Sequence, residues 1–188
     1  MAEGIGSHAE GSWTTATGYA SHAEGVETLA EGFGSHAEGG NMSIEGSIAY
    51  PSSDVSINPY DETDTYTIYS TTAVGIHAHA EGGMTLASGH YSHAEGEFTV
   101  ATGESAHAEG VNTLAAGNYS HVEGYGTKTA GYCSHAEGSY TFAASDDQHV
   151  QGKYNIPDEN GTYAHIVGNG TWQARSNAYT LDWEGNSY

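Results

Sequence analysis

The chain has 188 residues, including 27 glycines and 14 tyrosines, and it lacks leucine-rich helical periodicity, which is typical of an ordered all-β protein. It carries 24 acidic residues against three basic ones, a formal net charge of −21. Because such a chain repels phosphate backbones and anionic lipid surfaces, we expect no nucleic-acid partner. No apolar stretch approaches the roughly 20 residues that span a bilayer, so we also expect no membrane insertion.

A five-residue phrase, Ser-His-Ala-Glu-Gly with few variations, recurs every 14 residues along most of the chain. A fixed period of this kind is typical of a solenoid, in which each repeat forms one coil stacked on the next. The opening residues Met1 to Gly4 match the second half of a coil, with Ala2 and Gly4 in register, so we expect the array to start mid-repeat in a piece of a longer protein. The histidines that mark the repeat are His8, His22, His36, His79, His93, His107, His121, His135 and His149.

One coil can be taken from the middle of the array, where Ser92–Gly96 and Thr99–Gly103 are separated by two residues. This spacing predicts two five-residue strands joined by two-residue corners. Side chains alternate between the two faces of a strand, so Ala94 and Ala101 should meet inside the coil while His93 and Glu95 point outward. The interior is then a narrow stack of alanine, serine and glycine.

So thin a column buries little apolar surface. Ordering its backbone costs roughly 1 to 2 kcal/mol per residue, whereas two alanines per coil contribute little apolar area in return. The missing burial should come from further chains against the outer faces, and identical parallel columns assemble most simply around a symmetry axis. We therefore expect a homotrimer.

The outward residues should form two parallel ladders, because coils stack about 4.8 Å apart. Stacked carboxylates repel one another unless something neutralises them, and histidine can donate to each carboxylate. We predict that both ladders lie at the trimer axis as a buried polar network that fixes the register between chains. The second ladder consists of Glu10, Glu24, Glu38, Glu81, Glu95, Glu109, Glu123, Glu137 and, in the ninth coil, Gln151.

A metal ion on this axis is an open alternative to a cofactor-free network, because three histidines around a threefold axis form a transition-metal site. Coils about 5 Å apart cannot each hold a divalent ion, however. The same ladders predict that assembly depends on pH between about 5 and 7, in a direction that the sequence does not assign.

The repeat is interrupted between His36 and His79. Ile44 and Gly46 keep the register, and Thr65–Tyr69 would be a degenerate first strand, which leaves Tyr50–Asp64 as a 15-residue excursion from the solenoid wall. Such a loop either supports a trimer contact or touches a receptor. The candidate receptor contacts are Tyr50, Asp54, Tyr60, Asp61 and Glu62.

The period stops after Gly152, so we divide the chain into a β-solenoid over residues 1–152 and a C-terminal capping or trimerisation segment over residues 153–188. Strand-like runs occur at Tyr163–Val167 and Tyr179–Trp183. The single cysteine, Cys133, excludes an intrachain disulfide.

The coil Ser-His-Ala-Glu-Gly-x-x-Thr-x-Ala-x-Gly-x-x resembles the head repeat of trimeric autotransporter adhesins of the YadA type. Those heads are left-handed parallel β-rolls that form trimers, with a strand Ser-Val-Ala-Ile-Gly in which two apolar residues stand where this chain has His and Glu. The form with His and Glu is similar to repeats in tail fibres and appendages of phages and prophages. The resemblance implies a left-handed, homotrimeric β-solenoid.

The C-terminal stretches His149–Ile156, His165–Gly170 and Arg175–Trp183 resemble the start of an intramolecular-chaperone module of phage appendages. Such a module trimerises the fibre and can cut itself off. Because the chain ends at Tyr188, we expect that much of the module is missing. We therefore assign no catalytic residues, and whether the full-length protein cleaves itself stays open.

These patterns together favour a structural and adhesive segment of a phage or prophage tail fibre, located on the virion tail or otherwise extracellular. Its partners would be two further copies of itself and a glycan or protein receptor on a bacterial surface. The alternatives are a bacterial surface adhesin, a self-processing chaperone module and a polysaccharide depolymerase. We expect no enzyme activity, because catalysis needs one unlike arrangement in a cleft rather than nine equal copies on a rod.

Overall fold

The computed structural model describes residues 1–40 and 70–188, and within these ranges the chain forms a parallel β-solenoid of about ten turns without a helix. Each coil contributes one long and one short strand. The long strands are β1 (His8–Ser12), β3 (His22–Val26), β5 (His36–Gly40), β7 (His79–Gly83), β9 (His93–Glu97), β11 (His107–Val111), β13 (His121–Tyr125), β15 (His135–Ser139) and β17 (His149–Lys153). The short strands are β2 (Thr15–Ala16), β4 (Leu29–Ala30), β6 (Thr72–Ala73), β8 (Leu86–Ala87), β10 (Val100–Ala101), β12 (Leu114–Ala115), β14 (Lys128–Thr129) and β16 (Phe142–Ala143).

The two kinds of strand form two parallel sheets in which equivalent residues of successive coils are direct partners. In the long-strand sheet, for example, His93 pairs with His107 and Glu95 with Glu109. The 14-residue register predicted from the sequence is therefore confirmed. No helix in the described part of the chain is long and apolar enough to cross a membrane.

The second strand of each coil is shorter than the five residues predicted. In the coil of Val100 it is two residues long, because the amides of Thr102 and Gly103 both donate to the carbonyl of Ala115. Sharing one acceptor bends the backbone out of the ladder into the corner. The hydroxyl of Ser92 then closes a corner of this type by donating to the carbonyl of Gly89, at 2.7 Å.

The interior of the solenoid is the predicted alanine column. Ala94 and Ala101 are completely buried, as is the corresponding alanine, valine or isoleucine in most other coils. A second apolar cluster, which the residue spacing does not predict, lies along the short strands. It consists of the buried residues Met84, Leu86, Val100 and Leu114.

Glycine in the long strands is required by the tight stacking of coils. Gly82 has a φ of +104°, and a Cβ atom built on it would lie 2.2 Å from the carbonyl oxygen of Gly96 in the next coil. Gly83, the next residue, has no positive φ, and its nearest neighbour would be a side-chain atom 3.9 Å away. Two adjacent glycines thus differ completely in what they tolerate.

The interruption lies inside a single coil, which corrects one expectation. Leu29 pairs with Thr72 and His36 pairs with His79, so β5 and β7 are direct neighbours, whereas the expected first strand at Thr65–Tyr69 would require a further coil between them. Leu29 and Thr72 are 43 residues apart instead of 14, and the insertion therefore comprises 29 residues rather than 15. The excursion itself, with Ile44 and Gly46, lies outside the described residues.

The long-strand sheet continues past residue 152. Strand β18 (Tyr163–Asn169) pairs in parallel with β17, and β19 (Asn177–Asp182) pairs antiparallel with β18. Both strand-like runs predicted in this segment are thus strands. The short-strand sheet ends differently, because the side-chain amide of Asn155 accepts a hydrogen bond from the Phe142 amide and donates one to the Phe142 carbonyl.

We predict that Gly82→Ala destabilises the solenoid by more than about 2 kcal/mol, because the new methyl group must displace the backbone of the next coil and the residue keeps a left-handed φ. Urea unfolding followed by far-UV circular dichroism measures the effect. Gly83→Ala is the matched control and should be neutral or slightly stabilising, since it lowers the entropy of the unfolded chain. Equal unfolding midpoints for the two variants would show that stacking does not limit this position.

Candidate functional site

The predicted histidine ladder is present and forms a continuous stack of imidazole rings. Successive ring centroids lie 4.7 to 5.0 Å apart, and from His22 onward the planes of neighbouring rings differ by at most 13°. His165 extends the stack, since its ring lies 4.9 Å from that of His149. Residue spacing alone does not identify His165, because His165 follows His149 by 16 residues instead of 14. The pattern of His165 to Gly168 nevertheless matches that of His149 to Gly152.

The glutamate ladder runs beside the histidines, and the two are joined by contacts of 3.3 to 3.7 Å between a histidine Nε2 and a carboxylate oxygen. In the first coils each histidine contacts the glutamate of its own coil: His8 with Glu10, His22 with Glu24, His36 with Glu38 and His79 with Glu81. In later coils it contacts the glutamate of the preceding coil: His107 with Glu95, His121 with Glu109, His135 with Glu123 and His149 with Glu137. The sequence predicted the ladders but not this change of partner, which falls at His93.

The face that carries the ladders is partly open to solvent in a single chain. The His36 and Glu38 side chains are 34% and 37% exposed, and those of His107 and Glu95 are 36% and 32% exposed. Burial of the ladders at a trimer axis therefore stays a prediction. Nε2 atoms, in contrast, are covered by their neighbours and lack a hydrogen-bond partner within the described ranges at His22, His36, His79, His93, His107, His121, His135, His149 and His165.

The stack shifts the protonation of its histidines. Burial, followed by the charge of neighbouring histidines, lowers the pKa of His36 and His93 below the usual 6.5, and the adjacent glutamates only partly oppose this. Burial likewise lowers the pKa of His149 and His165. These rings are thus neutral at pH 7, where a free Nε2 lone pair can accept a hydrogen bond or bind a metal.

A shallow groove of about 490 Å³ follows the glutamate ladder. It exists because each glutamate is followed by a glycine without a side chain. Four successive coils line it, through Glu38, Glu81, Glu95 and Glu109 and through Gly39, Gly82, Gly96 and Gly110. Its carboxylates are related by the coil repeat, and each contacts a ladder histidine of its own coil or of the next one.

Three groups along the ladders bring histidine and carboxylate ligand atoms within 4.8 Å of one another. They are His36 with Glu38 and His79, His79 with Glu81 and His93, and Glu95 with His107 and Glu109. Each group spans two adjacent coils of one chain. The metal site considered from the sequence took its histidines from three chains, so this arrangement differs from that expectation.

The candidate receptor contacts are a separate set of residues. Tyr50, Asp54, Tyr60, Asp61 and Glu62 lie outside the described residues. Aromatic side chains at the corners stack along the solenoid edge, with ring centroids 5.1 Å apart for Tyr19 and Phe33 and 4.8 Å apart for Tyr140 and Tyr154. Tyr19 and Phe33 are 14 residues apart in the sequence, as are Tyr140 and Tyr154, and this spacing is the signal that could have identified both stacks.

The head repeat of YadA is also found by comparison with known families. Two copies of the YadA head domain repeat match residues 80–106 and 94–120, which cover the coils of His79, His93 and His107. The solenoid therefore contains YadA-like head repeats. Neither the curated proteins nor the solved structures compared with the chain gave a match.

We predict that the YadA-like solenoid loses stability on acidification. His149 faces His135 and Glu137, and His165 faces His149, Glu137 and the Tyr179 ring. Because their folded pKa values lie below the unfolded value of about 6.5, the stability that they contribute is complete above that pH and is lost as the pH falls through the folded values. The urea midpoint should be lower at about pH 5.5 than at about pH 7.5.

His165→Gln should reduce this difference between the two midpoints, because it removes one of the partly buried titrating rings. The matched control is His8→Gln at the other end of the stack, where the side chain is 63% exposed; this change should leave the difference as it is. An unfolding midpoint that rises on acidification would show that the glutamates, not the histidine burial, control the response.

Proposed function

We propose that this chain is a non-catalytic, adhesive head or shaft segment of a homotrimeric surface appendage, in a phage or prophage tail fibre. The observation that carries the proposal is the parallel 14-residue coil in which two YadA head repeats are recognised. YadA-like heads form homotrimers in general and are extracellular surface structures. Here the apolar outward pair of the YadA strand is replaced by histidine and glutamate.

The long-strand face supports trimer formation. In one chain its histidines and glutamates are about one-third to two-fifths exposed over most of the array, and nine Nε2 atoms of the described residues lack a hydrogen-bond partner. Buried nitrogens of this kind cost free energy until they are paired. Two further chains against this face would exclude water from it. They would also supply hydrogen-bond donors and acceptors at the same positions along the solenoid axis.

We predict that the wild-type chain has three times its 19.6 kDa protomer mass by light scattering, and that His107→Glu shifts it toward the monomer. The substitution adds a carboxylate from each chain next to Glu95 and Glu109, where like charges repel. Ser105→Glu adds the same charge at an exposed corner of the neighbouring turn and is the control. A wild-type monomer would overturn the assembly, whatever the variants do.

Local contacts in the C-terminal segment support a non-catalytic role. Ser176 donates its amide to the Tyr154 carbonyl, and the Asn177 side chain accepts a hydrogen bond from the Ile156 amide. Both residues thus attach the start of β19 to the segment from Tyr154 to Ile156. Mass spectrometry of the full-length precursor tests the alternative that a longer C-terminal module cuts itself off, because self-cleavage would release a fragment of defined mass.

A bacterial surface adhesin fits the YadA repeats equally well and is the second candidate. The two differ in where the chain is displayed. Immunogold imaging with an antibody against the solenoid should label the tails of phage particles released from a producing culture. Label confined to the outer surface of the bacterial cell would instead support the adhesin. In either setting the proposed partner is a glycan or protein on a bacterial envelope.

A further inference from the structure

We propose that adjacent coils of one chain bind a transition-metal ion, with zinc as the reference case, between two stacked histidines and the glutamate beside them. The strongest site is centred on His79, which belongs to two such groups: His36 with Glu38, and Glu81 with His93. This inference goes beyond a structural or adhesive role. It also does not require a trimer, since every ligand comes from one chain.

The ligand set suits zinc. Two histidine nitrogens and one carboxylate oxygen are a common protein donor set for this ion, with the remaining position left to water. Each of the two groups around His79 supplies this set with all ligand atoms within 4.8 Å. The third group, Glu95 with His107 and Glu109, has only one nitrogen and is a weaker site for a metal that favours imidazole.

The spacing of the ligands also fits an ion better than a direct hydrogen bond. The Nε2 of His36 lies 3.5 Å from a Glu38 oxygen, and that of His79 lies 3.7 Å from a Glu81 oxygen, which is too long for a good N–H···O bond. Two ligand atoms that each lie about 2.1 Å from a shared tetrahedral zinc are about 3.4 Å apart. The ligand atoms of each group lie within 4.8 Å of one another, so side-chain rotations that shorten the longest separation by up to about 1.4 Å would complete the set.

The histidine nitrogens are available for this purpose. Nε2 of His36, His79 and His93 is buried and lacks a hydrogen-bond partner among residues 1–40 and 70–188. An imidazole nitrogen without a hydrogen-bond partner is open to a metal ion. The stack places the three rings nearly parallel, with interplanar angles of 2° for both neighbouring pairs, so the rings must tilt towards each other for two Nε2 atoms to share one ion.

Charge and space favour a cation at the same place. Glu38 and Glu81 face the groove together with Glu95 and Glu109, and a divalent ion relieves the repulsion between carboxylates stacked one coil apart. The groove gives water access to the open coordination positions. Because the two strong groups share His79 and ions about 5 Å apart repel strongly, we expect one tightly bound ion per chain in this stretch.

Calorimetric titration of zinc chloride into the tag-free, EDTA-treated full chain tests the proposal. We expect about one tight site per chain, and His79→Gln should weaken it at least tenfold because both strong groups lose a ligand. His8→Gln, at the end of the ladder outside the three groups, is the matched control and should bind as the wild type does. Wild-type binding no tighter than that of His79→Gln, or equal loss in the control, would overturn the proposal.

The Glu38→Gln and Glu81→Gln double variant guards against a folding defect in His79→Gln. It preserves side-chain size, and circular dichroism reports whether each protein keeps its β-structure. Tenfold or greater loss of zinc affinity in this folded variant supports the site, and retention of full affinity refutes it. Light scattering on the same samples separates this question from assembly, since a monomer that binds zinc would refute the trimer and keep the metal site.

Discussion

The short distance between coils is the constraint on which the rest of the structure depends. With equivalent residues paired directly, a Cβ atom at Gly82 would lie 2.2 Å from the backbone of the next coil, so the position allows no side chain. Inside the coil only small residues fit, and Ala94 and Ala101 are fully buried. The column is consequently too thin to be stabilised by apolar burial alone, and its outer faces must contribute.

The same stacking turns every outward residue into a column of identical groups. Imidazole rings accept this arrangement, because flat aromatic rings stack well at 4.7 to 4.9 Å. Carboxylates at the same rise repel one another, and their nearest partners are the neighbouring histidines. The two ladders are therefore interdependent, since the stacked glutamates need something positive nearby. A second chain or a metal ion can satisfy that need.

The sequence predicts the register, the alanine interior and both ladders because a fixed period repeats one environment many times. Its failures lie where the period breaks. His165 follows His149 after 16 residues, so a search for the 14-residue period does not find it. Ile44 and Thr65 happen to match the repeat pattern, which is why the sequence predicts an additional coil in the insertion. The shorter second strand and the change of partner at His93 depend on hydrogen-bond sharing and side-chain rotation. Residue spacing alone predicts neither of these two features.

A repeated environment also limits what such a chain can do. Every described coil between His22 and His149 presents nearly the same two side chains on its long strand. Such an array offers a long matched interface and shared ligands, and it also offers positions where the array is broken. The 29-residue insertion after β5 is such a break, and it is held by strands whose register is fixed on both sides. Support of this kind suits a contact segment, because the sequence of the insertion is free of the 14-residue period while the strands on both sides keep theirs.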